Sequence, residues 1–496
     1  MEQGRGHRRG VRAAPRAHPG VSGARTPRRP TVAFATLGCR LNQVDSQSLA
    51  ARLEERGYRT VAFETPADTV GAGADVVVVN TCTVTARAEV SDRQMIRRAV
   101  RTHPRARVVV TGCWAQTDPR GVAAVRGVDA VVGNADKEGL PALIEGLLIA
   151  KPREPRILVG DIATAPLAPP PAPRAALRSR AFVKVQEGCQ HRCAFCIVPL
   201  ARGTSRSLPP AAVLEQAHRL VELRHREIVL TGVDLGHYGA DLQPQTTLAV
   251  LLRALAGVRG LRWVRLSSVL PAYVTGELLD VVIGEPVIAP HFHIPLQSGS
   301  DRVLRHMRRP YNVAMYRRLV ERLAAAIPRV GLGADVIVGF PGESDEDFAR
   351  TRDLVDALPF SYLHVFGYSD RAGTEAAALP GHVDARTISR RSAALRALAD
   401  TKGAAFRRAM VGTTQDALVL ETRDRATGAL VGLTGNYVEV LLDGPDALMR
   451  TVTTVTITDA DGLTTRAEIA DARARAVPAQ SAAGERRKGG EAPLRV

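Results

Sequence analysis

Three cysteines stand four and three residues apart in Cys189-Gln-His-Arg-Cys193-Ala-Phe-Cys196, directly after a predicted strand. Three thiolates at this spacing can hold three irons of a cubane iron–sulfur cluster. The fourth iron is then open to a ligand from outside the protein. An amino acid can chelate it through its amine and carboxylate, and S-adenosylmethionine (SAM) carries both groups. An electron from the cluster can cleave the sulfonium and leave a 5′-deoxyadenosyl radical. Such a radical removes hydrogen from carbon that acid–base side chains cannot activate. Structural zinc is the competing reading. Zinc usually takes four ligands from two short hooks, and here only His191, inside the loop, could join the three cysteines.

Cys39, Cys82 and Cys113 end the segments TLGC, VNTC and VTGC, each at the C-terminal end of a predicted parallel strand. Ligands in open α/β sheets gather at that edge, and Gly38 and Gly112 permit a sharp backbone turn beside a bulky group. Three thiolates distant in sequence can therefore meet at one site; buried, inert cysteines are the alternative. Other strand ends carry Thr231-Gly232, Ser267-Ser268, Gln297-Ser298-Gly299 and Gly339-Phe-Pro-Gly342-Glu343. One such turn is ordinary, but four at one barrel mouth favour a nucleoside-like ligand. Thr231, Gly232, Ser267, Gln297, Ser298, Gly339 and Glu343 are thus candidate SAM contacts. Arg202 and Arg206, just past the cysteine loop, could grip phosphate or pair with acids.

These side chains need elements to place them. Short, wholly apolar strands at 31–37, 75–80 and 107–111 alternate with helices at 42–56, 85–101, 115–125 and 137–148, which predicts a flavodoxin-like α/β domain over 31–150. The Pro-rich stretch 151–179 cannot pair into a central sheet and reads as a linker. Strands at 181–186, 227–231, 263–267, 293–296, 335–339 and 362–368 alternate with helices, so 180–410 reads as a partial or full (β/α) barrel closed by a helix over 384–410. Four short strands with turn signals over 411–470 predict a small all-β barrel or sandwich. The arm 1–30 has eight Arg against one acid, and it and the tail 471–496 read as disordered. The whole is an α/β multidomain chain.

Composition narrows the partners. Lys plus Arg number 67 against 50 Asp plus Glu, a formal charge of +17, which suits a polyanion such as nucleic acid. Six cysteines in 496 residues are too few for a secreted disulfide scaffold. No apolar run reaches the roughly 18 residues of a membrane span, and no signal peptide is evident. A cytoplasmic chain with metal-binding cysteines is the expectation.

At these residues the chain resembles the radical SAM methylthiotransferase family over roughly 31–470. The matching segments are LGCRLNQVDS, NTCTVTARAE, VTGCWAQ, VQEGCQHRCAFCIVPLARGTSRS, LTGVDLGHYG, HFHIPLQSGSDRVL and VIVGFPGESDEDF. The resemblance implies two [4Fe-4S] clusters. Cys189, Cys193 and Cys196 would hold the one that binds SAM, and Cys39, Cys82 and Cys113 an auxiliary one that carries sulfur. Two SAM would be used per turnover, one methylating that sulfur and one supplying the radical. It further implies a C-terminal RNA-gripping domain of the TRAM type, in which Asn436 and Tyr437, with Arg202 and Arg206, are candidate RNA contacts. A flavodoxin- or ferredoxin-type reductant and a sulfur donor would be partners.

LGCRLNQVDS, GCWAQ and YSDRAGTEAA look most like the branch that 2-methylthiolates N6-threonylcarbamoyladenosine at tRNA position 37. The isopentenyladenosine branch and the branch acting on a ribosomal-protein aspartate are the other family readings. Leu270 and Pro310 depart from the first branch, which more usually has an acid and a basic residue there. A metal-stabilised RNA-binding protein without activity is the reading from another class.

Overall fold

The computed structural model describes residues 28–64, 73–169, 171 and 178–470. The expected tail, and the expected arm up to residue 27, lie outside the described residues.

The N-terminal sheet is built from β1 (Thr31–Thr36), β2 (Arg59–Ala62), β3 (Val76–Thr81), β4 (Arg107–Gly112), β5 (Ala130–Val132) and β6 (Arg156–Leu158). All pairings are parallel, in the order β2-β1-β3-β4-β5-β6, which is the flavodoxin-like order. Period-2 alternation sends Val77, Val79, Val108 and Val110 to one face, against Ile96 and Ala99 of helix Ala86–Thr102. Val76, Val78 and Val109 go to the other, against Leu49 and Leu53 of helix Arg40–Glu55. With both faces covered, the central strands read as unbroken valine runs.

Two expectations change here. The stretch 151–179 is not wholly linker, because Arg156–Leu158 adds β6 at the sheet edge. All three of its residues are exposed, so no apolar pattern announces it. The expected helix 115–125 is two short helices, Cys113–Thr117 and Pro119–Ala123. Pro119 lacks the N–H needed to continue the first, and the Asp118 carboxylate caps the second through Gly121 N–H at 2.9 Å.

The central domain holds β7 (Arg180–Lys184), a small hairpin of β8 (Gln186–Glu187) and β9 (Arg206–Ser207), then β10 (Glu227–Thr231), β11 (Trp263–Leu266), β12 (His291–His293), β13 (Gly331–Val338) and β14 (Tyr362–Gly367). Two three-stranded parallel sheets, β11-β10-β7 and β12-β13-β14, are joined by bridges from Val264 to Ile288 and Ser268 to His293. The result is a partial barrel of six parallel strands, open between β7 and β14. β12 stops at His293, short of the expected 293–296, since Pro295 cannot donate to a ladder. The helices pack outside over one large apolar core.

Helix Ala385–Arg408 leads to a closed barrel of β15 (Thr414–Arg423), β16 (Leu430–Thr434), β17 (Glu439–Leu442), β18 (Val452–Asp461) and β19 (Thr464–Ile469). β19 is a fifth strand beyond the four expected; in TTRAEI only Thr465 and Ala467 are buried, too little apolar signal to read. Its turn Thr434–Tyr437 docks under the central barrel. There Arg265, paired with Glu227 at 2.8 Å and fully buried, donates to the carbonyls of Gly435 (2.8 Å) and Thr434 (3.3 Å). Among the described residues no helix is long and apolar enough to cross a membrane.

Candidate active site

Cys39 follows β1 and Cys82 follows β3, on either side of the point where strand order reverses; Cys113 follows β4. Gly38 has φ +88°, and a Cβ there would lie 2.6 Å from Cys82 Cβ. At Gly112, with φ +103°, a Cβ would lie 2.4 Å from the Thr81 carbonyl. Only glycine lets these turns bring their cysteines together. Cys82 and Cys113 are buried and Cys39 is exposed. Cys113 Sγ lies 3.8 Å from Asn134 Nδ2 and 4.0 Å from Asn42 Oδ1. Burial, with the neighbouring Cys113 and Cys39, pushes the Cys82 thiol up to about 12.

The second trio lies in the loop between β8 and β9. Burial, reinforced by the Asp234 carboxylate 3.8 Å away, pushes the Cys189 thiol up to about 12. Cys196 rises to about 11, again mainly through burial. Cys193 Sγ accepts a bond from Arg309 Nη1 at 3.2 Å.

All six cysteines are free thiols. A single zinc at about 2.3 Å from each sulfur would draw three sulfurs to within about 4 Å of one another. Among the described residues the only three such ligands whose donor atoms all lie within 4.8 Å are His293, Asp335 and His364. Neither cysteine trio is that tight, so neither is set for a single zinc as it stands. The all-sulfur donor sets and the cost of ionising these buried thiols without a cation fit an iron–sulfur cluster. When bound, such a cluster supplies the electron that cleaves SAM.

The chain itself ties the two trios together. Asn134 Nδ2, beside Cys113, donates to the Ala201 carbonyl (2.7 Å) in helix Val198–Arg202, just past Cys196. Arg202 pairs with Glu187 and reaches Asn42 (2.6 Å) and Asp45 (3.1 Å), in the helix that begins after Cys39. The segment after β14 completes the link. Arg371 bonds Thr83 (2.8 Å) and Glu89 beside the Cys82 turn, and Ala376 N–H donates to the Ala194 carbonyl at 2.8 Å inside the Cys193 loop.

Of the candidate SAM contacts, Ser267 Oγ and Gln297 Oε1 are buried without a partner, as is Asp234 Oδ1, which the sequence did not single out. Such orphans suit a polar ligand. Thr231 and Gly232 end β10, where a Cβ on Gly232 would come within 2.8 Å of Gln186. Ser298 is fully buried and faces Thr351 at 3.3 Å. Glu343 accepts from Gly339 N–H and pairs with Arg391 at 2.9 Å, so its carboxylate braces the turn.

The candidate RNA contacts each have partners within the protein. Arg202 is 2 % exposed and locked between acids. Arg206 gives its guanidinium to the Ala165 and Arg202 carbonyls. Asn436 is buried against Thr434 (2.6 Å) and the Arg329 carbonyl (3.0 Å). Tyr437 stacks on His291, ring centres 4.3 Å apart, and accepts a bond from Arg40 at 2.8 Å. Arg202, Asn436 and Tyr437 serve domain contacts, and their local sequence gives no hint of partners more than a hundred residues away.

Six parallel strands in an open barrel, with a C-x₃-C-x₂-C loop behind the first, define a radical SAM enzyme. Residues 183–355 match the radical SAM superfamily, and residues 31–133 match a family described as uncharacterized protein family UPF0004. The chain is 37% identical over 432 residues to "Threonylcarbamoyladenosine tRNA methylthiotransferase MtaB" of Bacillus subtilis (strain 168), covering 86% of this chain and 93% of that protein. To the protein of the same name in Aquifex aeolicus (strain VF5) it is 39% identical, covering 83% and 97%. It is also 39% identical to a "tRNA-2-methylthio-N(6)-dimethylallyladenosine synthase" of Parafrankia sp. (strain EAN1pec), covering 83% of each. In fold it is similar to the radical SAM methyltransferase TsrM of Kitasatospora setae, with TM-score 0.55 at 16% identity, covering 71% of this chain and 77% of that one. The chain belongs to the radical SAM methylthiotransferase family.

Proposed function

We propose that this enzyme adds a methylthio group to carbon 2 of N6-threonylcarbamoyladenosine at position 37 of tRNA, in the cytoplasm. Cys189, Cys193 and Cys196 hold the SAM-binding cluster, and Cys39, Cys82 and Cys113 the sulfur-carrying one. Ser267 and Gln297 lead the SAM contacts, with Thr231, Gly232 and Gly339 shaping the turns around them. Electrons come from a flavodoxin- or ferredoxin-type reductant and sulfur from a separate donor. The observation that carries this reading is the link between the two cysteine trios through Asn134, Arg202 and the segment after β14. Such a link would keep a sulfur-bearing site and a radical-generating site beside one substrate. The likeness to the two MtaB proteins supports the substrate.

The test is anaerobic reconstitution followed by assay on anticodon stem-loops carrying either modified adenosine. About eight irons per chain, SAM-dependent 5′-deoxyadenosine and the 2-methylthio derivative of the threonylcarbamoyl nucleoside are expected. Zinc without SAM cleavage, or product from the dimethylallyl RNA alone, would overturn it.

A further inference from the structure

β12, β13 and β14 run in parallel register, with His293 opposite Gly333 and Asp335 opposite His364. One parity of residues, Phe292, Leu332, Ala334, Val336 and Val365, lies in the apolar core under the helices. The other parity faces the inside of the open barrel, and it is polar. His293 Nε2 lies 3.0 Å and His364 Nδ1 3.1 Å from the same oxygen, Asp335 Oδ1. The Tyr362 hydroxyl sits 3.0 Å from His293 Nδ1 and 2.9 Å from His291 Nε2.

This chain of bonds fixes what is left over. Burial of His291, with Arg265 nearby, holds its pKa well below the usual imidazole value, so the ring that bonds the Tyr362 hydroxyl is neutral. Tyr362 also bonds His293 Nδ1, and His293 Nε2–H donates to Asp335. His364 Nδ1–H supplies the second bond to Oδ1. Asp335 Oδ2 and His364 Nε2 are left without a protein partner among the described residues. The site is open to a ligand: the His364 side chain is 55% exposed and that of Asp335 25%. Phe366, two residues further along β14, is 44% exposed, with its ring centre 6.3 Å from that of His364.

The position suits a substrate base. β14 runs on into the segment that joins the two cysteine trios. Arg309 donates to Cys193 Sγ (3.2 Å) and to the Tyr311 hydroxyl (3.0 Å), Tyr311 donates to the Leu296 carbonyl (3.1 Å), and Leu296 N–H donates to the Asp335 carbonyl (3.1 Å), a short bonded path from the polar group to the Cys193 loop. A base taken out of an RNA stack needs an aromatic face and polar groups at its edge.

We infer that His293, Asp335 and His364 form the specificity site for the substituent on the substrate base, reading a hydroxyl and a carboxylate, with Phe366 as the stacking face. The inference rests on the substrate class proposed above and assigns it to residues. Asp335 Oδ2 accepts the ligand hydroxyl. His364 turns its free Nε2 to the polar end of the substituent, and His293 orients Asp335. A dimethylallyl group offers neither partner and would leave the Asp335 carboxylate against hydrocarbon. Sites built to hydrogen-bond a substrate group reject analogues that lack it by large factors.

The test measures KM and kcat of the reconstituted full chain on stem-loops bearing each substituent, for wild type, Asp335→Asn and His364→Phe. Iron content and melting temperature check folding; the first change is isosteric and the second is at a half-exposed ring. Wild type should prefer the threonylcarbamoyl RNA by about 100-fold or more in kcat/KM. Each variant should raise KM for that RNA by about 10-fold or more and narrow the preference. Wild-type activity on this RNA with KM and preference unchanged in both variants would overturn the inference while leaving the proposed function intact. Wild-type activity on the dimethylallyl RNA alone would instead overturn the proposed function, and this inference with it. One divalent metal per chain beyond the cluster iron, lost in Asp335→Asn, would make the trio a metal site and also overturn the inference.

Discussion

The Arg202 guanidinium meets Glu187 of its own domain and Asn42 and Asp45 of the N-terminal domain, and Lys137 and Lys184 bond the same Asp45 at 2.6 and 2.7 Å. Burial opposes ionisation of Asp45, but the three cations outweigh it and hold the carboxyl well below its usual range. At Glu187, burial is likewise outweighed by Lys184 and Arg202, and the value falls to about 2. Carboxylates lowered by folding stabilise the native state above their unfolded values near pH 4, and that stability is lost as pH falls through the folded values. The domain contact should therefore persist below pH 4 and fail towards about 2. Arg202→Met removes one cation and leaves Lys137 and Lys184 alone to balance the two buried acids. It should cost about 3–5 kcal/mol in urea unfolding and move the acid midpoint upward. A midpoint that stays put would show that the lysines alone hold Asp45 and Glu187 ionised.

Cys39, Cys82 and Cys113 each follow a strand, and the turn after the strand decides where the sulfur points. Gly112→Ala places a methyl 2.4 Å from the Thr81 carbonyl and 2.5 Å from Asn80 Oδ1, at a φ that side chains avoid. The turn after β4 must shift and carry Cys113 with it. Iron should drop from about eight to about four per chain, with the spectrum of the SAM-binding cluster retained. Gly57→Ala is the control: φ is +86° but nothing lies within 4 Å, so only backbone strain of about 1 kcal/mol is expected and iron is kept. These turns were legible in the sequence because a short apolar strand running into a Gly-Cys or Thr-Cys step encodes both a buried strand and its termination. β6 and β19 were not, since they bury little and so leave no apolar alternation. The His293, Asp335 and His364 group was illegible for a different reason. Its members sit on three strands, and only the barrel's register sets them on one face. The partners of the tight turn of Asn436 and Tyr437, namely Arg40, Arg265 and Arg329, were illegible because all are distant in sequence.

Across the whole molecule, the three folded units are bound by buried charge as well as by apolar contact. Arg202 joins the N-terminal domain to the barrel; Arg265 joins the barrel to the C-terminal β domain. The chain has two tryptophans, and each reports one region. Trp114 is fully buried in the N-terminal sheet's core. Trp263 packs with Ala289 and Leu418 where the barrel meets the β domain. If the interfaces lock the units into one cooperative body, Trp114→Phe and Trp263→Phe proteins should show the same fluorescence midpoint in urea. Arg265→Leu then separates the signals. It leaves Glu227 buried without its partner and the Thr434 and Gly435 carbonyls without a donor, a cost of about 3–5 kcal/mol placed at one interface. The Trp263 transition should move to lower urea while that of Trp114 moves less. Two distinct midpoints in the parent proteins would mean that the units unfold independently. The linkage of the two cysteine trios would then depend on the N-terminal contact alone.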